Sequence, residues 1–384
     1  MTATGYSLAQ YGKMITCEPR MGAFAEAMRR AITPGCRVLE IGTGPGIMAI
    51  MACQMGAGHV VAIEPDPSIE IARRLAAANG CADRITFVRD LSTNWQPDAP
   101  ADVVISDIRG VLPLFEHHVS SIVDVRARLL QPGGTQIPGL DRIRAALVAA
   151  PAEHEKFAGP WLARPYGVDM AIVHSFAIND WGRVHLPAAA VQSTVAEYAT
   201  LDYRTITQAN HSADMDFVIT GAGTIHGLLM WSETELVPGI GHSNAPGEPE
   251  QVYGQAFFPL ERPVDMAEGA QARVGVSSNL IDGQYIWSWS FSANDARGVA
   301  HSIRQSSFKG QIPDPVALGR RAATHCPPPS QKAAVDVRAL SLFDGQTDLA
   351  GIAACLRREF PAYFVTDKAA LDHVASLSSR YAKS

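Results

Sequence analysis

The fold of the first half of the chain is decided by the stretch Val38-Leu39-Glu40-Ile41-Gly42-Thr43-Gly44-Pro45-Gly46. Hydrophobic, partly β-branched residues lead into a Gly-x-Gly-x-Gly pattern, and an apolar run from Ile47 to Met55 follows. This order predicts a buried strand, a tight turn and a helix. Glycine is needed in such a turn because a Cβ would collide with a bound molecule or forbid a positive φ. The stretch therefore predicts a ligand that lies against the backbone.

A second apolar run, from His59 to Ile63, ends on Glu64. A carboxylate about 20 residues after a glycine turn can accept hydrogen bonds from both ribose hydroxyls, which predicts an adenosine ligand. The lysine of a phosphate loop is absent, and the glycine spacing is not Gly-x-Gly-x-x-Gly. These features favour S-adenosylmethionine, with Gly42, Thr43, Gly44, Gly46 and Glu64 among its binding residues. A glycine-rich connection without a ligand is the alternative.

Length and composition indicate a globular protein with two domains and an appendage, since 47% of 384 residues are hydrophobic. No apolar run approaches the ~20 residues of a membrane span, and the first 20 residues do not have the pattern of a signal peptide. The cytoplasm is therefore the predicted location. Six scattered cysteines form no Cys-x-x-Cys pair, which predicts neither a metal site nor a disulfide framework. A net charge of −6 without a basic block disfavours nucleic acid as a partner and favours a cationic acceptor.

Two further positions are candidates for cofactor binding. Arg20 lies in a helical segment from Tyr6 to Met28 that Pro19 is expected to break. If this segment covers the glycine turn, Arg20 can pair with the carboxylate of the cofactor, whereas a solvated surface arginine is the alternative. Asp90-Leu91 follows a predicted strand, where a carboxylate and the next N–H can bind adenine. A turn or N-cap aspartate is the competing interpretation of Asp90.

The candidate acceptor site lies in the loop from Ser106 to Glu116, which follows another predicted buried strand. Asp107 and Glu116 bracket this loop, and two adjacent carboxylates repel unless a cation lies between them. A guanidinium would satisfy both with paired hydrogen bonds, although Arg109 is a rival partner within the chain. His117 and His118 are predicted to be surface residues at the start of a helix rather than catalytic bases.

The pattern of apolar and turn-forming residues changes after the segment Thr135-Gln136-Ile137-Pro138. Short alternating runs with Gly, Pro and Asn between them predict a mostly antiparallel sheet or barrel from Arg142 to Phe291. The segment from Trp161 to Met170 interrupts these strands with aromatic residues, Pro165 and Gly167. An apolar insertion of this kind is often a contact surface.

Taken together, these motifs resemble the protein arginine methyltransferase family over roughly residues 10 to 295. Met14 and Arg20 match the positions of a covering helix that touch the cofactor, and Asp107 and Glu116 take the places of two glutamates at the same separation. Tyr166-Gly167-Val168-Asp169-Met170 matches a motif of the dimerisation arm. The resemblance implies an α/β Rossmann-like methyltransferase domain (1–138), a β-barrel domain (139–330) with a dimerisation arm at about 152–175, and a homodimer.

Several residues depart from the family pattern. Asp107 replaces a glutamate, Ile108-Arg109 replaces Trp-Met, and Gln251-Val252-Tyr253 replaces Thr-His-Trp. Tyr253 can keep an aromatic wall for the acceptor, and with Arg109 it forms the predicted substrate-binding set. The resemblance implies methyl transfer to a guanidino nitrogen of arginine, peptidyl or free. The alternatives are transfer to another nitrogen, such as that of histidine, and a non-catalytic protein that binds the cofactor and a peptide.

Residues 331–384 lie outside this resemblance and contain three amphipathic stretches, Val335 to Phe343, Asp348 to Phe360 and Thr366 to Tyr381. They predict a small C-terminal helical region. The segment from Leu342 to Ile352 resembles part of the winged-helix-like domains that bind leader peptides in peptide-natural-product pathways. A helical tail that packs on the barrel or across a dimer is the alternative.

Overall fold

The structure, a computed structural model, describes residues 6–382. Helices and strands alternate through its first part, as the sequence predicts for a Rossmann-like domain. Pro19 lies in the first turn of the second helix, where its missing N–H costs no hydrogen bond. The elements are α1 (Leu8–Ile15), α2 (Glu18–Ala31), β1 (Arg37–Ile41), α3 (Ile47–Gln54), β2 (His59–Ile63), α4 (Ile69–Ala78), β3 (Ile85–Val88), β4 (Ala101–Ser106), α5 (His118–Arg128) and β5 (Leu130–Ile137).

The five strands form a parallel sheet in the order β3-β2-β1-β4-β5. Ile41, the last residue of β1, lies opposite Ile63 of β2 and Ser106 of β4. Because parallel strands end at the same edge of a sheet, Gly42, Glu64 and Asp107 all follow at that edge. The strand order therefore brings together residues that are far apart in the sequence.

Apolar side chains cover both faces of this sheet. Val38 and Val60 pack with Phe24 of α2 on one face, and Leu39 packs with Val125 of α5 on the other. Burial on both faces explains why these strands read as continuous hydrophobic runs. The segment Gln131-Pro132-Gly133-Gly134 has the composition of a turn, but it lies inside β5, where the pairing with β4 shifts register.

The second part of the chain is antiparallel and barrel-like. One sheet has the order β7-β12-β10-β6-β8, with β11 paired to β10, and another has the order β15-β14-β13-β9. Their facing sides share a core that includes Tyr203, Phe217, Phe258 and Trp287. The strands are β6 (Leu140–Val148), β7 (Gly182–Val184), β8 (Ala196–Asp202), β9 (His211–Val218), β10 (Gly223–Val237), β11 (Ile240–Ser243), β12 (Gln255–Met266), β13 (Gln271–Ile281), β14 (Gln284–Asn294) and β15 (Ala300–Ser306).

A helical insertion separates β6 from β7. It consists of α6 (Pro151–Leu162) and α7 (Ala171–Ala177), with the predicted contact segment between them. Leu162, Val168 and Ile172 are exposed, and Tyr166 is fully exposed. A neighbouring group of large exposed apolar side chains is typical of a surface that binds a partner.

The chain divides into two compact units, Met1–Ile312 and Pro313–Ser384. The described part of the second unit contains helices only, α8 (Pro315–Arg321), α9 (Gln331–Leu340), α10 (Leu349–Glu359) and α11 (Asp367–Tyr381), so no strand of a wing is present there. Val335, Leu356 and Val374 form the centre of its own apolar core. Domain limits at 138 and 330 stay a prediction.

Within residues 6–382, no helix has the length and apolarity required to cross a membrane.

Candidate active site

A cavity of about 370 Å³ lies at the edge where the parallel strands end. It brings together every candidate residue of the sequence except Gly46. Gly46 instead begins α3 with a φ of +87°, and a Cβ there would lie 2.7 Å from the side chain of Ala72. The candidate residues that line the cavity are Met14, Arg20, Gly42, Thr43, Gly44, Glu64, Asp90, Leu91, Asp107, Arg109, Glu116 and Tyr253.

The glycine turn forms the floor of this cavity. Gly44 has a φ of +50°, and a Cβ there would lie 2.7 Å from the ring of Tyr11. Tyr11 comes from α1, so this helix covers the turn, and the Tyr11 hydroxyl lies 3.3 Å from the Ser68 hydroxyl. Any larger residue at position 44 would be strained and would displace the covering helix.

Glu64 holds the turn from the neighbouring strand. Its two carboxylate oxygens accept hydrogen bonds from the backbone N–H groups of Gly44 and Asp66, each at 2.9 Å. Burial raises the pKa of Glu64, and these two hydrogen bonds oppose the increase. Each oxygen has a second lone pair, so the carboxylate can accept further hydrogen bonds from hydroxyl groups in the cavity.

Asp90 and Leu91 also line the cavity. The Asp90 Oδ1 atom accepts from the Leu91 N–H at 2.7 Å and from the Asn94 side-chain amide at 2.8 Å. This is the arrangement of a turn aspartate, the competing interpretation of this residue. The two residues nevertheless line the same cavity as Glu64.

The side chain of Asp107 is buried and is surrounded by donors. Its Oδ2 atom accepts from Arg20 Nε at 2.6 Å and from the Tyr253 hydroxyl at 2.9 Å, and its Oδ1 atom lies 3.3 Å from Arg109 Nε. Burial alone would raise the pKa of Asp107, but the positive charges of Arg20 and Arg109 outweigh burial and hold the pKa well below its usual range. Arg20 also donates to the Met14 carbonyl oxygen at 2.8 Å.

Arg109 connects Asp107 to the antiparallel sheet. Its Nη1 atom donates to both carboxylate oxygens of Asp141 on β6, at 2.7 and 2.9 Å, and to Thr234 on β10 at 2.8 Å. Its Nη2 atom lies 3.3 Å from His242 Nε2 on β11. Arg109 is 4% exposed and Asp141 is 0% exposed. The guanidinium of Arg109 is therefore engaged by the protein itself, although sequence reasoning assigned it to the substrate.

The expectation for His118 was wrong. Its ring is buried, and its Nε2 atom lies 3.0 Å from the Tyr203 hydroxyl, which donates to Asp141 at 2.6 Å. Burial, followed by the positive charge of Arg109, lowers the pKa of His118 to about 4, so the ring is neutral at physiological pH. Position 118 begins α5 as predicted, but the helix turns this face inward. His117 is exposed, as expected.

Glu116 differs from Asp107 in its surroundings. Its side chain is exposed, its φ is +41°, and no residue among those the structure describes forms an ion pair with it. The loop between the two carboxylates folds tightly, because a Cβ at Gly110 would lie 2.6 Å from the ring of Phe115. Of the two carboxylates of this loop, Asp107 is therefore charge-compensated and Glu116 is available to a cation.

Glu40 is a residue of this site that sequence reasoning missed. It is buried at the end of β1, lines the cavity and accepts a hydrogen bond from the Thr43 hydroxyl. Burial raises its pKa to about 8, and the Thr43 hydrogen bond opposes the increase only partly. The signal in the sequence was a carboxylate inside an otherwise apolar strand.

The raised pKa of Glu40 predicts a pH-dependent stability. Between about pH 4.5 and pH 8 the folded state holds a proton that the unfolded state has lost, so stability falls as pH rises through this window. Glu40→Gln removes the titrating carboxyl group. The free energy of unfolding of wild type should fall as pH rises, whereas that of Glu40→Gln should not. The difference between the two should therefore change in favour of the variant by at most about 1.4 kcal/mol per pH unit. Urea unfolding at pH 5 to 8 measures it, with Glu268→Gln in an exposed turn as the control. Parallel pH profiles for wild type and Glu40→Gln would contradict this assignment.

Two family descriptions match the chain in sequence order. The model described as Ribosomal protein L11 methyltransferase (PrmA) matches residues 24–149, and the model described as Arginine methyltransferase oligomerization subdomain matches residues 143–290. The first contains the parallel sheet and most of the residues that line the cavity, and the second contains the helical insertion and most of the antiparallel strands. The order of the two matches is that of the fold described above.

Curated relatives agree with these matches. An Arginine N(omega)-methyltransferase from Streptomyces achromogenes subsp. streptozoticus is 28% identical over 67% of this chain and 72% of its own length. A Probable histone-arginine methyltransferase CARM1 from Oryza sativa is 27% identical over 66% of this chain, which spans about half (51%) of that relative.

Solved structures share the fold. The PRMT1 enzyme-prozyme complex with AdoHcy from Trypanosoma brucei superposes with a TM-score of 0.72 at 18% identity, covering 80% of this chain and 99% of that one. Protein arginine methyltransferase 10 from Arabidopsis thaliana gives a TM-score of 0.68 at 20% identity, covering 78% and 98%. Residues 24–290 of this chain are therefore similar in sequence to methyltransferases, and the chain shares the fold of solved protein arginine methyltransferases.

Proposed function

We propose that this protein transfers a methyl group from S-adenosylmethionine to a guanidino nitrogen of arginine. The observation that carries this proposal is Glu116, an exposed carboxylate that shares a cavity with the charge-compensated Asp107. The names of the relatives from Streptomyces and rice, both arginine methyltransferases, support the same acceptor.

The residues of the cavity fit the cofactor. A turn in which a Cβ at Gly44 would meet the covering helix leaves backbone open to a ligand, and Glu64 retains acceptor capacity for ribose hydroxyls. When bound, S-adenosylmethionine supplies an electrophilic methyl group on a sulfonium. The described contacts of Arg20 use three of its five N–H groups, so two remain for a carboxylate. The residues that would hold the cofactor are Met14, Arg20, Gly42, Thr43, Gly44, Glu64, Asp90 and Leu91, and Gly46 would support the turn from the start of α3.

The two carboxylates have different roles in this proposal. A guanidinium stays protonated at neutral pH, so its positive charge must be drawn away from the nitrogen that attacks. Glu116 supplies the free negative charge for this purpose, and a charge fixed in place before reaction is an effective form of catalysis. The Oδ2 atom of Asp107 is occupied by Arg20 and Tyr253, and its Oδ1 atom accepts one N–H from Arg109, which leaves the second lone pair of Oδ1 for one N–H of the acceptor.

Arg109 acts on Asp107 and not directly on the acceptor. One guanidinium reaches Asp107 through Nε and Asp141 through Nη1, so it fixes the Asp107 side chain relative to β6. We therefore replace its predicted substrate-binding role with a positioning role. Tyr253 keeps its place as an aromatic wall of the acceptor site, since its hydroxyl holds Asp107 while its ring lines the cavity.

The first prediction of this function concerns Glu116→Gln. The variant should bind S-adenosylmethionine normally and lose transfer to arginine by about 10²-fold to 10³-fold in kcat, because the amide has no charge to offer the guanidinium. Mass spectrometry of arginine and arginine peptides measures the transfer, and calorimetry measures cofactor binding. Glu268→Gln, an exposed glutamate outside the cavity, is the matched control.

The same assay separates the alternatives. A methyl group found on histidine in a peptide, with none on arginine, would assign the acceptor to the second candidate. Tight cofactor binding without transfer to any acceptor would indicate the non-catalytic peptide-binding protein. Full activity of Glu116→Gln on arginine would overturn the role given to this carboxylate.

A second prediction concerns Arg109→Lys. Lysine keeps the charge, but its single nitrogen cannot bridge Asp107, Asp141 and Thr234 together. We expect kcat to fall about 10-fold to 100-fold while the cofactor Kd changes little, because a small displacement of a catalytic group is costly. Arg144→Lys, which alters a more exposed arginine on β6 that pairs with Glu197 and Glu233, is the control. An unchanged kcat in Arg109→Lys would exclude a positioning role.

We also propose that the protein is a homodimer formed through the helical insertion. The exposed apolar residues of α6, α7 and the segment between them lie within the matched oligomerization subdomain. Ile172→Asp should convert the dimer to a monomer in sedimentation equilibrium, because it places a charge in a buried interface. Val299→Asp, at an exposed valine outside the insertion, is the control. A wild-type monomer, or a dimer that Ile172→Asp leaves intact, would refute this arrangement.

Two expectations about the rest of the chain remain predictions. Leader-peptide binding by residues 331–384 draws on a sequence resemblance and on a three-helix core with capped helices, at Ser330, Asp348 and Thr366. Location in the cytoplasm rests on sequence composition alone.

A further inference from the structure

Arg183 lies beside the loop that carries Tyr253. It belongs to the short strand β7 and pairs with Ala256 of β12. Its Nη1 atom donates to the Val252 carbonyl oxygen at 3.2 Å, and its Cγ atom would lie 3.0 Å from a Cβ at Gly254. The aliphatic part of the Arg183 side chain therefore lies along the loop that contains Tyr253, whose hydroxyl donates to Asp107.

The Val252 carbonyl that binds Arg183 is one residue from Tyr253, which lines the cavity together with Asp107 and Glu116. Tyr6 lines the cavity with half of its side chain exposed. Its pKa is raised by burial and then by the negative charges of Glu116 and Asp107, while Arg183 opposes the increase. The direction of this last effect agrees with the position of Arg183 beside the loop of Tyr253.

The charge of Arg183 is not compensated within the described structure. Among residues 6–382, no carboxylate lies within ion-pair distance of it, and the nearby Glu250 pairs with His185 instead. A guanidinium has five N–H donors, and the Val252 carbonyl uses one. The remaining donors form a fork that matches the geometry of a carboxylate.

An arginine acceptor offers a carboxylate at a suitable distance from its guanidino group. The two groups are separated by about 8 Å in an extended arginine, from bond lengths of roughly 1.5 Å. An acceptor whose guanidino group lies at Glu116 would extend its carboxylate away by this length, and the exposed Arg183 lies beside the wall that Tyr253 forms.

We propose that Arg183 binds the α-carboxylate of the acceptor, so that the preferred substrate is an arginine whose own carboxylate is free. This inference deepens the proposed function and rests on it. The carboxylate belongs either to free arginine or to the C-terminal arginine of a peptide, and an internal arginine has none. Arg183 is then a substrate-binding residue that selects among guanidino compounds.

The test compares methyl transfer to two acceptors by wild type and by two variants of Arg183. Wild type, Arg183→Gln and Arg183→Lys are assayed with L-arginine and with L-argininamide, which keeps the guanidino group and lacks the carboxylate. Wild type should prefer L-arginine about 10-fold to 100-fold in kcat/KM. Arg183→Gln should remove this preference through a higher KM for L-arginine while leaving argininamide unchanged, and Arg183→Lys should restore part of it. Arg262→Gln, an exposed arginine elsewhere on β12, is the control.

A pair of peptides then identifies the source of the carboxylate. Peptides ending in arginine are compared with the same peptides carrying a C-terminal amide. Dependence on Arg183 with L-arginine alone assigns the free amino acid, and dependence with the acid peptides alone assigns a peptide terminus.

Two outcomes would overturn the inference without touching the proposed function. If Arg183→Gln lowers kcat/KM equally for L-arginine and argininamide, its role is to support the Val252 loop. If it changes neither, Arg183 does not contact the acceptor. If no guanidino compound accepts a methyl group, the proposed function itself fails, and this inference falls with it.

Discussion

The buried ion pair between Arg109 and Asp141 is the interaction on which the arrangement of the active site depends. Removing two charges from water is costly, and their mutual attraction compensates only when the other hydrogen-bonding groups are satisfied. Here Thr234 and Tyr203 donate to Asp141, while Asp107 accepts from Arg109. The pair joins the loop after the parallel sheet to a strand of the antiparallel sheet. Any displacement of one sheet relative to the other would therefore disturb Asp107.

This constraint explains why two carboxylates nine positions apart behave differently. Asp107 is enclosed by Arg20, Arg109 and the Tyr253 hydroxyl, so its charge is held by the protein. Glu116 is exposed at the far end of the same loop, and its charge is available to a cationic acceptor. A cavity with two equally free carboxylates would suffer their repulsion whenever the acceptor was absent. Compensating one of them by fixed arginines avoids this cost and, in the proposed function, would give the acceptor a single orientation.

Particular residues show how far the sequence could be interpreted. The run through Val38 predicted a buried strand, and the structure explains its continuous apolarity because the parallel sheet is covered on both faces. The turn at Gly44 was predictable because a positive φ favours glycine. His118 was misjudged because the first residue of a helix can face either way, and only the position of β8 and its neighbour Tyr203 decides which. Glu40 was overlooked because its raised pKa comes from burial by other segments, which no local pattern records.

The sequence by itself determined the order of elements, the glycine turn, the identity of the carboxylates and the break between parallel and antiparallel halves, because these follow from periodicity and from the conformational limits of single residues. The tertiary structure alone decided which charges meet. Arg109 and Asp141 are 32 positions apart, Tyr253 and Asp107 are 146 apart, and both pairs form only once the two sheets have packed. Electrostatic partners are set by distance and burial in three dimensions, and neither quantity can be read from spacing along the chain.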